Sequence, residues 1–329
     1  MRVGVDTFTL RDLPLSELEA LDYAKARGLA GVQSWSAHDG DDPEALARAK
    51  DYRAKADSLG LYTSVGCHCP NPNVGDMPRG ERLAKMTKQI ANAAACGWHD
   101  LHTYAGGPEA RWNSPIPWGQ HLADTKAFFR ELAPVLLAHG SRVNLEPKGG
   151  LTTFDAVEII EDVGPDVAGV CLDVANVLCF AEDPVAAARR VAPYTRDTHC
   201  KDAIIYFCPA GLRRQVRPPG AGVCDWEKIL PILAEHSPGL RLSIEDHKWL
   251  YDVPIFTGAW HATVGGLSRE ELAMTVGLAW RTQQRLAAGE LPDPDEYEKI
   301  PHVSEVESRL AAGRDYLNGL IHTLGLPTD

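Results

Sequence analysis

Eight short apolar runs alternate with longer helical patterns along this chain, and that alternation restricts its fold more than any other feature. The runs lie at 2–6, 31–34, 62–66, 100–104, 142–146, 167–173, 194–199 and 241–245, each of strand length. Between them, segments such as LSELEALDYAKARG, PEALARAKDYRAKADSLG and HLADTKAFFRELAPVLLAHG carry apolar residues at helical spacing and end on glycine, the usual residue just past a helix C-terminus. Strand, helix, strand repetition makes parallel neighbours, and eight such units close into a (β/α)8 barrel of about 250 residues. A doubly wound open sheet would have fewer strands and a glycine-rich phosphate turn after the first, whereas the first run here leads into DTFTL. The expectation is an α/β protein with a (β/α)8 TIM barrel over residues 1–288. Residues 289–329 would form a C-terminal helical extension: an acidic linker GELPDPDEYEKIP and a last helix near 303–324, packing on the barrel or on a partner subunit.

Composition narrows the partners. The 329 residues hold 45 Asp and Glu against 33 Lys and Arg, a net charge of -12. An acidic surface of that size repels phosphate backbones and anionic lipid heads, so neither nucleic acid nor membrane is expected as a partner. The longest apolar runs fall far short of the roughly 20 residues that cross a bilayer, and nothing marks export. Eight cysteines are too sparse for a disulfide scaffold and point to free thiols in a reducing cytoplasm.

Polar residues close four successive runs: Glu146 after RVNL, Asp173 after VAGVCL, His199 after TRDT and Glu245 after RLSI. Their separations are 27, 26 and 46 residues. The first two are one βα unit each, and the third contains a long insertion, so a barrel brings all four to one rim. Three carboxylates and an imidazole crowded there would repel unless a cation neutralised them. Oxygen and nitrogen donors of this kind suit Mn²⁺, with Mg²⁺ or Co²⁺ as alternatives.

The strings EPKGGLTT, CLDVANVL, THCKDA and SIEDH at these four ends resemble the sugar phosphate isomerase/epimerase family, whose fold is the xylose-isomerase-like TIM barrel. The resemblance spans about residues 1–285, and the H-x-K-D string is among its more specific signals. It implies that Glu146, Asp173, His199 and Glu245 bind one divalent ion. Two departures stand out. Asn176 occupies a place where many relatives carry His, and Lys148 one where they often carry a neutral residue or His.

A divalent ion chelated by a hydroxyl and an adjacent carbonyl would act as Lewis acid and hold the enediolate left when an α-proton departs. Glu146 and Glu245 are the candidate proton carriers, and Lys148 is a third acid or base whose pKa a neighbouring cation would depress. Reprotonation gives an isomer or epimer. With a leaving group β to the carbonyl, the same chemistry becomes β-elimination on a 3-oxo-glycoside, as in the catalytic subunits of C-glycoside-cleaving relatives; dehydration or decarboxylation of an oxidised sugar is a further outcome. Two other readings are an endonuclease-type phosphodiesterase, which the acidic charge opposes, and a non-catalytic subunit, which the complete ligand set opposes. His68, His102, Lys201 and Arg217 are candidate contacts to a sugar or glycoside substrate, with a homo-oligomer or a catalytic subunit of a hetero-oligomer as the expected assembly. Residues 203–224 read as a long loop and lid candidate. Residues 246–267 read as an aromatic excursion able to stack on a sugar or aglycone.

Overall fold

A computed structural model describes residues 1–35 and 44–328; Pro43, where the second helical pattern begins, and Asp329 lie outside them. Eight parallel strands close into a barrel: β1 (Arg2–Asp6), β2 (Gly31–Ser34), β3 (Tyr62–Gly66), β4 (Asp100–Thr103), β5 (Arg142–Leu145), β6 (Ala168–Asp173), β7 (Thr195–Cys200) and, after an inserted pair β8 (Asp202–Cys208) and β9 (Gly211–Arg217), β10 (Arg241–Ile244). The order runs from β1 to β7 in sequence, with β10 between β7 and β1. A last strand, β11 (Leu250–Val253), lies outside the barrel.

Helices follow the barrel strands: α1 (Glu17–Ala26), α2 (Ala45–Leu59), α3 (Arg79–Ala95), α4 (Trp118–His139), α5 (Thr153–Val163), α6 (Pro184–Val191) and α7 (Trp226–His236). Local chemistry sets their ends. Ser16 with Glu19 and Thr152 with Asp155 make reciprocal capping boxes at the starts of α1 and α5. Gly60 (φ 69°) and Gly140 (φ 57°) end α2 and α4 in the left-handed region that a Cβ disfavours.

The barrel strands alternate faces where parallel strands are usually apolar on both. In β5, Val143 and Leu145 join the apolar layer under the helices, while Asn144 and then Glu146 are buried polar groups on the other face. In β10, Leu242 and Ile244 lie on one face and Ser243 and then Glu245 on the other. The barrel interior is therefore polar, and the apolar core is the shell between strands and helices, with Leu21, Met86, Ile90, Phe128, Leu132 and Ile160 from the helices.

Residues 203–224 differ from the expected loop. β8 and β9 form an antiparallel hairpin, and β11 adds to β9 to make a three-stranded sheet outside the barrel. Arg213 pairs with Asp252 across β9 and β11, Nη2 to Oδ2 at 2.8 Å. A hydrogen-bonded ladder with buried Ile204, Ile205, Leu212 and Val216 is a fixed element rather than a lid.

After α8 (Gly258–Thr263), α9 (Arg269–Ala287) packs on β8. The linker folds into a short helix, α10 (Pro294–Lys299), and α11 (His302–Thr323) then packs on β1, β10 and α7. The helix covering the β10/β1 seam is thus α11, from beyond residue 288. Its Val306, Leu310, Leu317 and Ile321 are buried. Among the described residues no helix is long and apolar enough to cross a membrane.

Candidate metal centre

Glu146, Asp173, His199 and Glu245 each stand at the carboxyl end of a barrel strand, and one donor atom from each lies within 4.8 Å of the others. Register explains the convergence: Asp173 of β6 pairs with His199 of β7, and His199 with Ser243 of β10, two residues before Glu245. All four side chains are buried.

Asp173 uses its oxygens differently. Oδ1 accepts from the backbone N–H groups of Ala175 (3.0 Å) and Asn176 (2.9 Å), which locks the carboxylate plane. Oδ2 is left facing the other ligands with only the Lys201 ammonium, 2.8 Å away. Glu146 Oε1 accepts from Asn176 Nδ2 at 2.9 Å, whereas Glu146 Oε2 is buried without a hydrogen bond. His199 Nδ1 lies 2.9 Å from Glu245 Oε2 and 3.5 Å from Glu146 Oε1, yet makes no hydrogen bond. Buried polar atoms without hydrogen bonds are costly, and donor atoms of all four side chains gathered this closely fit a divalent cation.

The far side of the imidazole is held as a ligand histidine requires. Gln33 Nε2 lies 3.0 Å from His199 Nε2 while Gln33 Oε1 is buried without a partner. Rotating that amide by half a turn lets Oε1 accept from Nε2–H and leaves Nδ1 as the free lone pair. Asp6, which closes β1, is 3.7 Å from the same Nε2, and burial, only partly offset by His199, pushes its carboxyl up to about 7. His102 meets His199 edge-on at 5.7 Å and Trp35 at 4.6 Å. Asp6, His102 and His199 form a second cluster of donor atoms, but the Gln33 amide already sits at the nitrogen it would use.

Two lysines stand against the carboxylates. Lys201, two residues beyond His199, reaches Asp173 Oδ2 and also Glu245 Oε1 at 2.6 Å. Lys148 lies 3.5 Å from Glu146 Oε2. Burial pushes all three carboxyls up, but at Glu245 Lys201 and His199 outweigh it and hold the group well below its ordinary value. Lys148 and His199 do the same, less strongly, at Glu146, and Asp173 stays raised despite Lys201. The Lys148 ammonium is itself held above its usual range by Glu146. Above these groups a cavity of about 330 Å³ opens between Phe8, Lys148, Lys201, His247 and Trp249.

The remaining candidates are scattered. His102 is inside the barrel beside His199, as described. His68 follows β3, and its backbone N–H bonds Gln89 Oε1 at 2.9 Å. Arg217, on β9, stacks 3.4 Å over the Tyr297 ring of α10, and burial with Arg309 nearby pushes it down to about 10. Asp202 anchors structure: it accepts from the N–H groups of Ala203, Gly220 and Cys224 and from Trp226 Nε1, tying the hairpin to the start of α7. Of the aromatic excursion, Trp249 lines the cavity, Trp260 is buried and Phe256 is exposed.

Sequence reading passed over Asp6 and Gln33 and noted Asn176 only as a departure. Asp6 closes RVGVD as the four ligands close their strands, so the rule that found them could have found it. Asn176 carries a chain of contacts, since Arg214 Nη2 donates to its Oδ1 while its Nδ2 holds Glu146. Nothing local to CLDVANVL announces that.

The family described as xylose isomerase-like TIM barrel matches residues 21–255. No curated protein matches the chain. Among solved structures, a xylose isomerase domain protein from Planctomyces limnophilus shares 22% identity over 88% of this chain and 97% of its own, with a TM-score of 0.56. The D-psicose 3-epimerase of Clostridium cellulolyticum H10, solved with D-tagatose, shares 16% over 86% and 98%, TM-score 0.60. A xylose isomerase-like TIM barrel protein from Mycobacterium smegmatis, in complex with magnesium, shares 17% over 80% and 95%, TM-score 0.57. At these identities the likeness is one of fold.

Proposed function

Because the chain belongs to the xylose isomerase-like TIM barrel family, we propose that it is a divalent-metal-dependent isomerase or epimerase acting on a keto-sugar or sugar derivative. The observation that carries this reading is the convergence of buried donor atoms from Glu146, Asp173, His199 and Glu245 within 4.8 Å of one another, with Glu146 Oε2 and His199 Nδ1 making no hydrogen bond. Three carboxylates and an imidazole suit Mn²⁺, Mg²⁺ or Co²⁺, and the magnesium complex of the Mycobacterium smegmatis barrel is in keeping with that. When bound, the ion supplies Lewis-acid stabilisation of charge developing on substrate oxygens.

The chain's own groups do the rest. Glu245 and Glu146 are held ionised by the neighbouring lysines and His199, so each is available to take a proton from the carbon next to a sugar carbonyl. Lys148, on the cavity wall, is placed to return a proton to oxygen as charge develops there. Gln33 and Asn176 keep His199 and Glu146 in place. Phe8 and Trp249 offer apolar faces to the sugar and limit water at the reacting carbon.

The test is proton exchange in D2O with a panel of keto-sugars and 3-oxo-glycosides, using Mn²⁺-loaded and EDTA-treated protein. Exchange at the carbon next to the carbonyl, lost with EDTA and restored by Mn²⁺, is expected. Exchange unaffected by EDTA, or elimination from the 3-oxo-glycosides with no isomer formed, would overturn the assignment.

A further inference from the structure

In the string HCKD at 199–202, His199 faces the candidate metal centre and Asp202 ties the hairpin to α7, which leaves Lys201 at the junction of barrel and hairpin. The Lys201 backbone N–H donates to the His199 carbonyl at 3.0 Å, and with Asp202 fixed on the other side the side chain turns back onto the carboxylates. Nζ lies 2.8 Å from Asp173 Oδ2 and 2.6 Å from Glu245 Oε1. Lys201, Asp173 and Glu245 are each no more than 2% exposed, so this ammonium is an enclosed charge held in one place. Burial pushes its pKa down, but Asp173 and Glu245 outweigh that and hold it above the ordinary range. The neighbouring cations are less closely engaged. Lys148 is 3.5 Å from Glu146 Oε2 with 31% of its side chain exposed, and Arg214, though buried, donates to Asn176 and to the Ala175 carbonyl rather than to a carboxylate.

A fixed buried cation beside a metal centre acts on the ion as well as on the ligands. Three carboxylates alone attract a trivalent ion half as strongly again as a divalent one, because the Coulomb energy scales with the charge of the ion. An ammonium held one carboxylate away from the ion works by the same rule in the opposite sense, and at low dielectric it repels a trivalent ion half as strongly again. Lys201 brings the three negative charges of Glu146, Asp173 and Glu245 down to two. A divalent ion neutralises that remainder; a trivalent ion leaves a positive charge enclosed.

Resting on the reading of Glu146, Asp173, His199 and Glu245 as a metal centre, we propose that Lys201 determines the charge of the ion the centre accepts, admitting a divalent ion and disfavouring a trivalent one. An ammonium has no lone pair to coordinate a metal, so Lys201 acts from beside the ligands. Its hydrogen bonds to Asp173 Oδ2 and Glu245 Oε1 keep it there. The site thereby turns away ions such as Fe³⁺, whose higher charge the three carboxylates alone would favour.

The test titrates Mn²⁺ and Tb³⁺, each alone, into the chelator-stripped full chain and reads the ratio of their affinities, Tb³⁺ over Mn²⁺, by competition against a chelator. Lys201→Met, which keeps an unbranched side chain and removes the charge, is expected to raise that ratio about tenfold or more. Lys201→Gln, neutral but still able to donate to the carboxylates, is expected to raise it as well. Ligands that merely lose their positions bind both ions more weakly and leave the ratio in place, so a structural role alone does not move it. Circular dichroism of stripped and Mn²⁺-loaded protein checks that the variants fold, and a variant that folds only when loaded is read by Tb³⁺ displacement of its Mn²⁺. A ratio within about threefold of wild type in both variants overturns the proposal. So does a rise in Lys201→Met that Lys201→Gln reverses, which would assign the effect to hydrogen bonding. Failure of the underlying reading looks different: wild type then shows no Mn²⁺ site that Asp173→Ala abolishes. Mn²⁺ bound at such a site, with the ratio unmoved in the variants, leaves the centre standing and removes only the role of Lys201.

Discussion

Asp173 divides its labour between its two oxygens, and that division explains why Asn176 matters although it is no candidate ligand. The Asn176 backbone holds one Asp173 oxygen and its side chain holds Glu146, while Arg214 fixes the amide from behind. Groups that orient ligands commonly contribute 10- to 100-fold in metal affinity. Asn176→Ala is therefore expected to lower Mn²⁺ affinity by about that factor with little change in fold, measured by competition against a chelator; unchanged affinity would remove Asn176 from the site. A second residue-scale expectation concerns Glu182, buried away from the centre against Thr153, Arg190 and Glu271. Burial, partly offset by Thr153 and Arg190, pushes its carboxyl up to about 7. The native state keeps this proton up to about pH 7, whereas the unfolded chain releases it near 4.5. Unfolding therefore releases a proton between those values, and this contribution to stability falls as pH rises through them, by up to about 3 kcal/mol, and is level above. Urea titrations of wild type and Glu182→Gln at pH 5 and 7.5 check the sign: the variant should lose less stability over the rise.

At the scale of elements, α11 does more than extend the barrel. Arg309 makes a bidentate pair with Asp246, both contacts 2.6 Å, and Asp246 directly follows Glu245. Arg309 also donates to the Tyr297 hydroxyl, and Arg217 and Lys248 lie over the Tyr297 ring at 3.4 and 3.5 Å, so the acidic linker is docked through its one tyrosine. Arg309→Ala leaves the buried Asp246 carboxylate with only His302, 3.8 Å away, in place of a bidentate guanidinium, and is expected to cost about 3–5 kcal/mol. Leu317→Ala, which empties apolar volume under α11, should cost about 2–5 kcal/mol. Denaturant unfolding measures both, and Mn²⁺ titration tells them apart. The Arg309 variant should also weaken metal binding, because the strand end that carries Glu245 loses its anchor, whereas the Leu317 variant should not. Equal metal affinities would sever the link between α11 and the centre.

For the whole molecule, the candidate metal centre is a region where three carboxylates are folded into proximity against their own repulsion, so metal binding there should feed back on global stability. At Mn²⁺ a hundredfold above its dissociation constant, the native state gains about 2.7 kcal/mol, read as an upward shift in Tm that Asp173→Ala abolishes; a wild-type Tm indifferent to Mn²⁺ would refute the centre. Much of this molecule follows from sequence alone. The eight barrel strands lie within a residue or so of the runs read from apolar periodicity, because each strand buries an alternating face and the signal is local. The quartet was equally legible, since a charge closing an apolar strand is a local pattern and the barrel has one carboxyl rim. Tertiary structure decided the rest. Residues 203–224 hold the β8–β9 hairpin, to which β11, over thirty residues later, adds a third strand. Arg217 went to Tyr297, Lys201 turned back onto two ligands, and α11 closed the β10/β1 seam because partners distant in sequence were there to meet them. Periodicity records which face of a segment is buried; it carries no record of which distant segment will cover that face, and that pairing is where these side chains acquired their roles.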